Sequence, residues 1–336
     1  MKKTLLAVSI ASLFAGAAVN ATTIYEEDGL IIGIKSDIEV VLLGDTTGPG
    51  AGEDRDSGYM DLQDADFGID TTYDLGNKWT VLGAIGITGE DEQQVDLDIA
   101  YIGFKHDVAG TLTFGRQTTI MDDAGVGYDM QFGFNTFVDD MDLKSDQVVK
   151  YKFDNDTFYA GVAYMFNQDK ESGVRGADNA GHGVDGNVGV RFAGFDMAIY
   201  AGKYKADNKK EVTAGEFQVI YTINESFEIS AFYAAAITDN ENGDAISKNN
   251  AYGFAGQYKL NAWTFAVGAG MVDDKKDKKD KKDNGDHVAS YINAAYAFND
   301  AMSVYTELGY VSYDESKADK ARDAGFGYAA GVKIKF

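Results

Sequence analysis

Along most of the chain, apolar and polar positions alternate with a period of two. Near the end, Phe326, Tyr328, Ala330, Val332, Ile334 and Phe336 share one side, opposite Gly325, Gly327, Ala329, Gly331, Lys333 and Lys335. At 262–272, Trp263, Phe265, Val267, Ala269 and Met271 oppose Thr264, Ala266, Gly268 and Gly270. The same pattern runs through 30–43, 157–167 and 227–237. Such alternation predicts strands with one face toward an apolar medium and one toward water. The runs reach about ten residues, the length a tilted strand needs to cross a bilayer, whereas strands of a soluble sandwich average 5–6.

Sixteen such strands are predicted, over 30–43, 59–73, 78–89, 95–107, 111–117, 144–153, 157–167, 184–193, 195–205, 212–223, 227–237, 250–260, 262–272, 287–298, 302–313 and 323–336. Tight turns alternate with longer connections at 44–58, 118–143, 168–183, 206–211, 238–249, 273–286 and 314–322. Alternating short and long connections are the hairpin signature of a transmembrane antiparallel β-barrel, and about 16 strands leave an aqueous channel. No mature segment carries the roughly 20 apolar residues of a membrane helix.

The beginning reads differently. Lys2 and Lys3 precede an apolar stretch over 5–19, and Val19-Asn20-Ala21 offers a cleavage site, so 1–21 is expected to be a secretory signal peptide. The barrel domain then spans 22–336. The chain has no cysteine and a single proline, Pro49. A closed sheet can hold such a chain through backbone hydrogen bonds alone. Its 39 glycines and 40 Tyr and Phe residues suit a curved sheet with interfacial aromatic girdles. The net charge of −24 becomes −26 in the mature chain, which excludes nucleic acid as a main partner and favours attraction of cations. The Lys/Asp run at 275–283 reads as a solvated outer loop, with contact to surface lipid phosphates as the alternative.

At 112–152 the sequence becomes specific. Thr113-Phe114-Gly115-Arg116 closes a strand, a long loop follows with Met130-Gln131-Phe132-Gly133, and Lys144 precedes Tyr151-Lys152 on the next strand. Together with the terminal Phe336 and the opening stretch from Ile24-Tyr25 to Lys35, this resembles the Gram-negative general diffusion porins, a trimeric 16-stranded family. Met130-Gln131-Phe132-Gly133 (the third-loop motif Gln131, Phe132, Gly133) is similar to that family's Pro-Glu-Phe-Gly. The resemblance implies a third outer loop folded into the lumen, with loop carboxylates facing basic wall residues across a constriction. The basic side would be Lys35, Arg116 and Lys144. The acidic side would include Asp66 on the wall and Asp122, Asp123, Asp129, Asp139, Asp140 or Asp142 on the loop. Arg116 shares parity with Leu112 and Phe114, so a bulge or strand end at Gly115 is expected to turn it inward. Tyr328 and Phe336 would belong to the C-terminal signal read by the barrel assembly machinery.

The resemblance also implies a homotrimer in the outer membrane of a Gram-negative bacterium, surrounded by lipid and lipopolysaccharide, passing ions and small hydrophilic solutes without a cofactor. Two departures stand out. Asp66 stands where relatives often have a base, with Asp64 and Asp70 on the same inward parity, and Gln131 replaces the motif glutamate. The second loop, at 90–94, is short, which weakens the expectation of a trimer.

Other chemistry finds no pattern. The three histidines are far apart, and no metal spacing, nucleophile elbow or phosphate loop is present. Acidic groups such as Glu53-Asp54-Arg55-Asp56 lack the spacing of a calcium loop. The rivals to passive diffusion are a sugar-type selective channel, to which Tyr159, Phe232 and Tyr305 could contribute, a plugged structural barrel, and an enzyme carried on a barrel.

Overall fold

A computed structural model describes residues 21–45, 58–89, 95–133, 143–166, 181–206, 211–240, 242–276, 286–313 and 325–336. The expected signal peptide, Asp139, Asp140, Asp142, the 90–94 loop and most of the Lys/Asp run lie outside the described residues. The strands are β1 (Thr22–Glu27), β2 (Leu30–Asp45), β3 (Tyr59–Gly76), β4 (Trp79–Thr88), β5 (Asp96–His106), β6 (Gly110–Thr118), β7 (Lys144–Asp154), β8 (Phe158–Met165) and β9 (Gly181–Phe192). They continue as β10 (Phe195–Ala206), β11 (Glu211–Asn224), β12 (Phe227–Asp239), β13 (Ala245–Leu260), β14 (Trp263–Lys276), β15 (His287–Asn299), β16 (Met302–Tyr313) and β17 (Gly325–Lys335).

Each strand from β2 to β17 pairs antiparallel with its successor, and β17 pairs back onto β2 from Lys335↔Asp37 to Gly327↔Asp45. The ring is therefore a closed barrel of 16 strands. The short β1 is an addition to the sixteen predicted. It pairs with the lower part of β2, from Thr22↔Ile34 to Glu27↔Leu30, beneath the end of β17. Phe336 continues that edge, exchanging both backbone hydrogen bonds with Ser36 at 2.7 and 3.1 Å. Alternation could not reveal β1, because Thr22–Glu27 is exposed at nearly every position.

Tight turns set the lower rim. Ala193 (φ 49°) and Gly194 (φ 84°) form the two-residue connection of β9 to β10, and positive φ at both matches the twist of a hairpin. Above them, aromatic side chains circle the outer face: Phe195 stacks on Tyr221 at 4.2 Å, and Trp263 meets Tyr296 at 5.0 Å. These rings sit where the apolar belt gives way to headgroups. At the other rim the strands outrun the prediction. β13 starts at Ala245 and β14 ends at Lys276, so the first lysines of the Lys/Asp run belong to a strand. Hydrophobic alternation fades there although pairing continues.

Candidate functional site

The third loop leaves β6 at Thr118 and turns through a one-turn 3-10 helix, Met121–Asp123. From there it lies against the inner wall. Ile120, Met121 and Val126 are buried on an apolar pad that includes the inward side chains Ala163, Ala198, Ala214, Ala234 and Ala236. Small residues there let the loop settle close to the sheet, so its own apolar side chains are withdrawn from water. The Ile120 N–H donates to Asp185 at 3.0 Å, and the Gly125 N–H to Gln218 at 2.9 Å. Ser230 donates to the Val126 carbonyl at 2.6 Å.

Further on, polar anchors replace apolar ones. The Tyr128 N–H donates to the Tyr291 hydroxyl at 2.8 Å, and Asn293 donates to the Tyr128 carbonyl at 2.7 Å. The Tyr128 hydroxyl donates to Glu228 at 2.8 Å. Burial, reinforced by that bond to Glu228, pushes the Tyr128 phenol up, so it remains a donor. The motif then closes on Glu307 of β16. Its carboxylate accepts the N–H groups of Met130, Gln131 and Phe132 at 2.7, 2.8 and 2.6 Å, and Asn293 at 2.9 Å. Three consecutive N–H groups converging on one carboxylate form an anion nest. Glu307 is only 1% exposed, and nothing in its local sequence distinguishes it from other inward polar residues.

Gln131, the departure from the family motif, has a local explanation. Its amide donates to Glu39 at 3.2 Å and to the Tyr305 hydroxyl at 3.0 Å. A glutamate here would set one carboxylate against another.

The charged wall lies on β17, β2 and β3. Lys333 contacts Glu39 and Asp64 at 2.6 Å each and Asp37 at 3.5 Å, while Lys335 contacts Asp37 at 2.7 Å. Lys35 faces Asp70 at 3.3 Å. Asp66 stands directly opposite Asp37, and Asp64 opposite Glu39. Like charges placed opposite each other weaken a strand pair. Asp98, Asp64 and Asp37 each bear on Asp66 with like charge, and no cation pairs with it among the described residues. Lys333 and Lys335 were legible as inward lysines of the last strand, but their carboxylate partners were not.

Arg116 and Lys144 are brought together around Asp98, whereas Lys35 lies four strands away on β2. Arg116 keeps the parity of Leu112 and Phe114, opposite Ala100. The irregularity expected at Gly115 is present, but the additional residues stand on the neighbours: Asp98 on β5, and the step from Ser145 to Val148 on β7. These bulges close on the guanidinium, which donates to the carbonyls of Leu97 and Asp98 at 2.7 and 3.0 Å and to Asp146 at 2.5 Å. Lys144 pairs with the Asp98 carboxylate.

On the loop, Asp123 is taken up by Lys152 at 2.6 Å, and Lys150 donates to the Thr118 carbonyl at 2.7 Å. Both lysines alternate on the inward side of β7, a signal that parity alone could have supplied. Asp122 and Asp129 keep a surface toward the lumen. Crowding by the surrounding chain still raises both carboxyls above the usual carboxylate range. Tyr159, Phe232 and Tyr305 form no exposed aromatic row. Phe232 and Tyr305 are buried, and Tyr159 is held by Asp196 at 2.6 Å.

Comparison with known proteins agrees with this architecture. A family model described as Gram-negative porin matches residues 7–316. Porin-like protein H of Photobacterium profundum is 30% identical, with both chains covered fully. The trimer form of the Vibrio cholerae outer membrane protein OmpT superposes with a TM-score of 0.72 at 22% identity, covering 92% of this chain and 100% of that one. An anion-selective porin from Comamonas acidovorans gives 0.73 at 13% identity, covering 91% and 100%.

Proposed function

This chain belongs to the Gram-negative porins of the outer membrane, and we propose that it is a general diffusion channel for small hydrophilic solutes with a preference for cations. Family and fold point to a channel rather than an enzyme. Fold does not decide the sign of selectivity, since an anion-selective porin shares it. The lining charges support the cation reading, and the observation that carries it is the wall of Asp37, Glu39, Asp64, Asp66 and Asp70 against Lys35, Lys333 and Lys335. Such a wall with acid in excess concentrates cations and repels anions. The constriction lies between this wall and the third loop, to whose lumenal charge Asp122 and Asp129 contribute among the described residues. Arg116, held by two bulges, shapes the wall beside it, and Lys144 and Lys35 temper the acid.

The test is the reversal potential of the purified protein in a planar bilayer under a KCl gradient. Large steps with a potassium-favouring sign are expected; a chloride-favouring sign overturns the preference, and a silent folded barrel overturns the channel. Acidification provides a second check. Because Asp122 and Asp129 have raised carboxyls, protonation removes their charge at a pH above the ordinary carboxylate range near 4. Potassium preference is therefore expected to start falling above that range. A selectivity flat down to about pH 4 contradicts a lumenal role for these two groups.

A trimer is the assembly this reading favours, in keeping with the trimer form among the structural neighbours. The outer face of β2 to β5 is dominated by Ile38, Leu42, Leu62, Ile69, Ile85 and Ile102, while β13 and β14 present Tyr252, Phe254, Tyr258, Trp263 and Phe265. Aromatic rings suit headgroups, and an aliphatic surface suits a second protein. The β2–β5 face is the proposed contact between copies.

A further inference from the structure

We propose that three glycines of the barrel wall, Gly183, Gly268 and Gly331, are positioning residues that set where the third loop stands, and thereby the width of the pore. The inference rests on the diffusion-channel reading above. Each glycine lies directly opposite an inward tyrosine of the neighbouring strand: Gly183↔Tyr204, Gly268↔Tyr291 and Gly331↔Tyr305. In each pair the ring covers the glycine. A Cβ at 183 would stand 2.5 Å from the Tyr204 ring, one at 268 would stand 2.5 Å from Tyr291 Cζ, and one at 331 would stand 2.6 Å from the Tyr305 hydroxyl. No real Cβ tolerates such approaches, so a side chain there lifts the ring off the sheet.

The tipped rings matter because of what their hydroxyls hold. Tyr204 meets Thr119 at 3.0 Å, Tyr291 accepts the Tyr128 N–H at 2.8 Å, and Tyr305 accepts the Gln131 amide at 3.0 Å. These points are the start, middle and tip of the described loop. An inward tyrosine standing upright would push its hydroxyl toward the pore axis. Laid across a glycine, it keeps the hydroxyl near the wall and draws the loop there with it. The atoms nearest an added side chain at each glycine are those of the ring, so the glycines act through it.

The test compares single-channel conductance of Gly268→Ala and Gly331→Ala with Gly44→Ala. Gly44 lies under Tyr328 on the outer face, where an added Cβ meets the ring just as closely but the ring holds none of the third-loop contacts named above. The two lumenal variants are expected to conduct roughly 1.5- to 2-fold less than the wild type, as the loop moves inward, and Gly44→Ala to match it. Removing the ring as well, in Gly268→Ala/Tyr291→Ala, is expected to restore at least wild-type conductance. Unchanged lumenal variants, or an equal loss in Gly44→Ala, overturn the proposal. Should Gly268→Ala fail to fold, Tyr291→Phe keeps the ring and removes the hydroxyl: a flickering current supports the cradle and a quiet one overturns it. A wild type without conductance would fail the channel reading instead. Loop position is then read in the cysteine-free chain from maleimide labelling of Asp129→Cys, faster in Gly268→Ala if the cradle holds and unchanged if it does not.

Discussion

Glu307→Ala is expected to turn a fixed constriction into a fluctuating one, with noisy single-channel current and a mean conductance up to about twofold higher. The carboxylate accepts three successive loop N–H groups and the Asn293 amide, and it is almost completely withdrawn from solvent. Hydrogen bonds to a charged group contribute about 1.5–3 kcal/mol each, but these share one acceptor and water can enter the lumen, so they do not add. A net loss of about 3 kcal/mol shifts the ratio of seated to released tip roughly 100-fold. Glu307→Gln keeps one carbonyl acceptor and should fall between. The barrel ladder is untouched in both variants, so the folded form should still resist SDS until heated. A quiet, unchanged channel in a correctly folded Glu307→Ala barrel would show that the apolar pad under Ile120, Met121 and Val126 holds the loop unaided.

Replacing Asp66 with lysine should produce the largest change in selectivity of any single wall substitution. Asp66 is the inward carboxylate of the wall without a basic partner among the described residues, and Asp98, Asp64 and Asp37 bear on it with like charge. A unit charge about 4 Å from a permeating ion in water changes its energy by about 1 kcal/mol, so the two-charge change amounts to about 2 kcal/mol before screening. After screening, about a tenfold fall in the potassium-to-chloride permeability ratio is expected at 0.1 M salt, shrinking toward unity at 1 M as the Debye length contracts to about 3 Å. Asp66→Asn should give roughly half the free-energy change. A reversal potential indifferent to Asp66→Lys would place the selecting charges elsewhere, on the loop.

The two predictions draw on parts of the molecule that were unequally legible. The inward parity of Asp64, Asp66 and Asp70 follows from alternation on one strand, and so does the wall they form. Glu307 is as inward and polar as they are, yet its loop partners lie more than 170 residues away in the chain. No local pattern encodes that meeting; it follows from how far the loop travels around the wall. Arg116 shows a third situation. Its parity argued against an inward position, and a bulge or strand end at Gly115 was the expected remedy. The fold instead bulges both neighbouring strands around it, and an extra residue on β5 or β7 leaves no mark in the periodicity of β6. The 16 spanning strands, by contrast, are dictated by bilayer and water on opposite faces, a constraint every residue reports. β1 escaped because it satisfies no such constraint and simply completes an edge.

That edge has a consequence for how the protein is made. Lys333 reaches Glu39 across 294 residues of chain, and β2 finds its upper partner only when β17 arrives. Contacts this distant are slow to form, and until they do the first and last strands each present an unpaired edge able to recruit any other extended chain. The seam therefore cannot close until the last strand has been made. The whole polypeptide must be kept apart from its neighbours in an unfinished state, and its ring joined in a single late event.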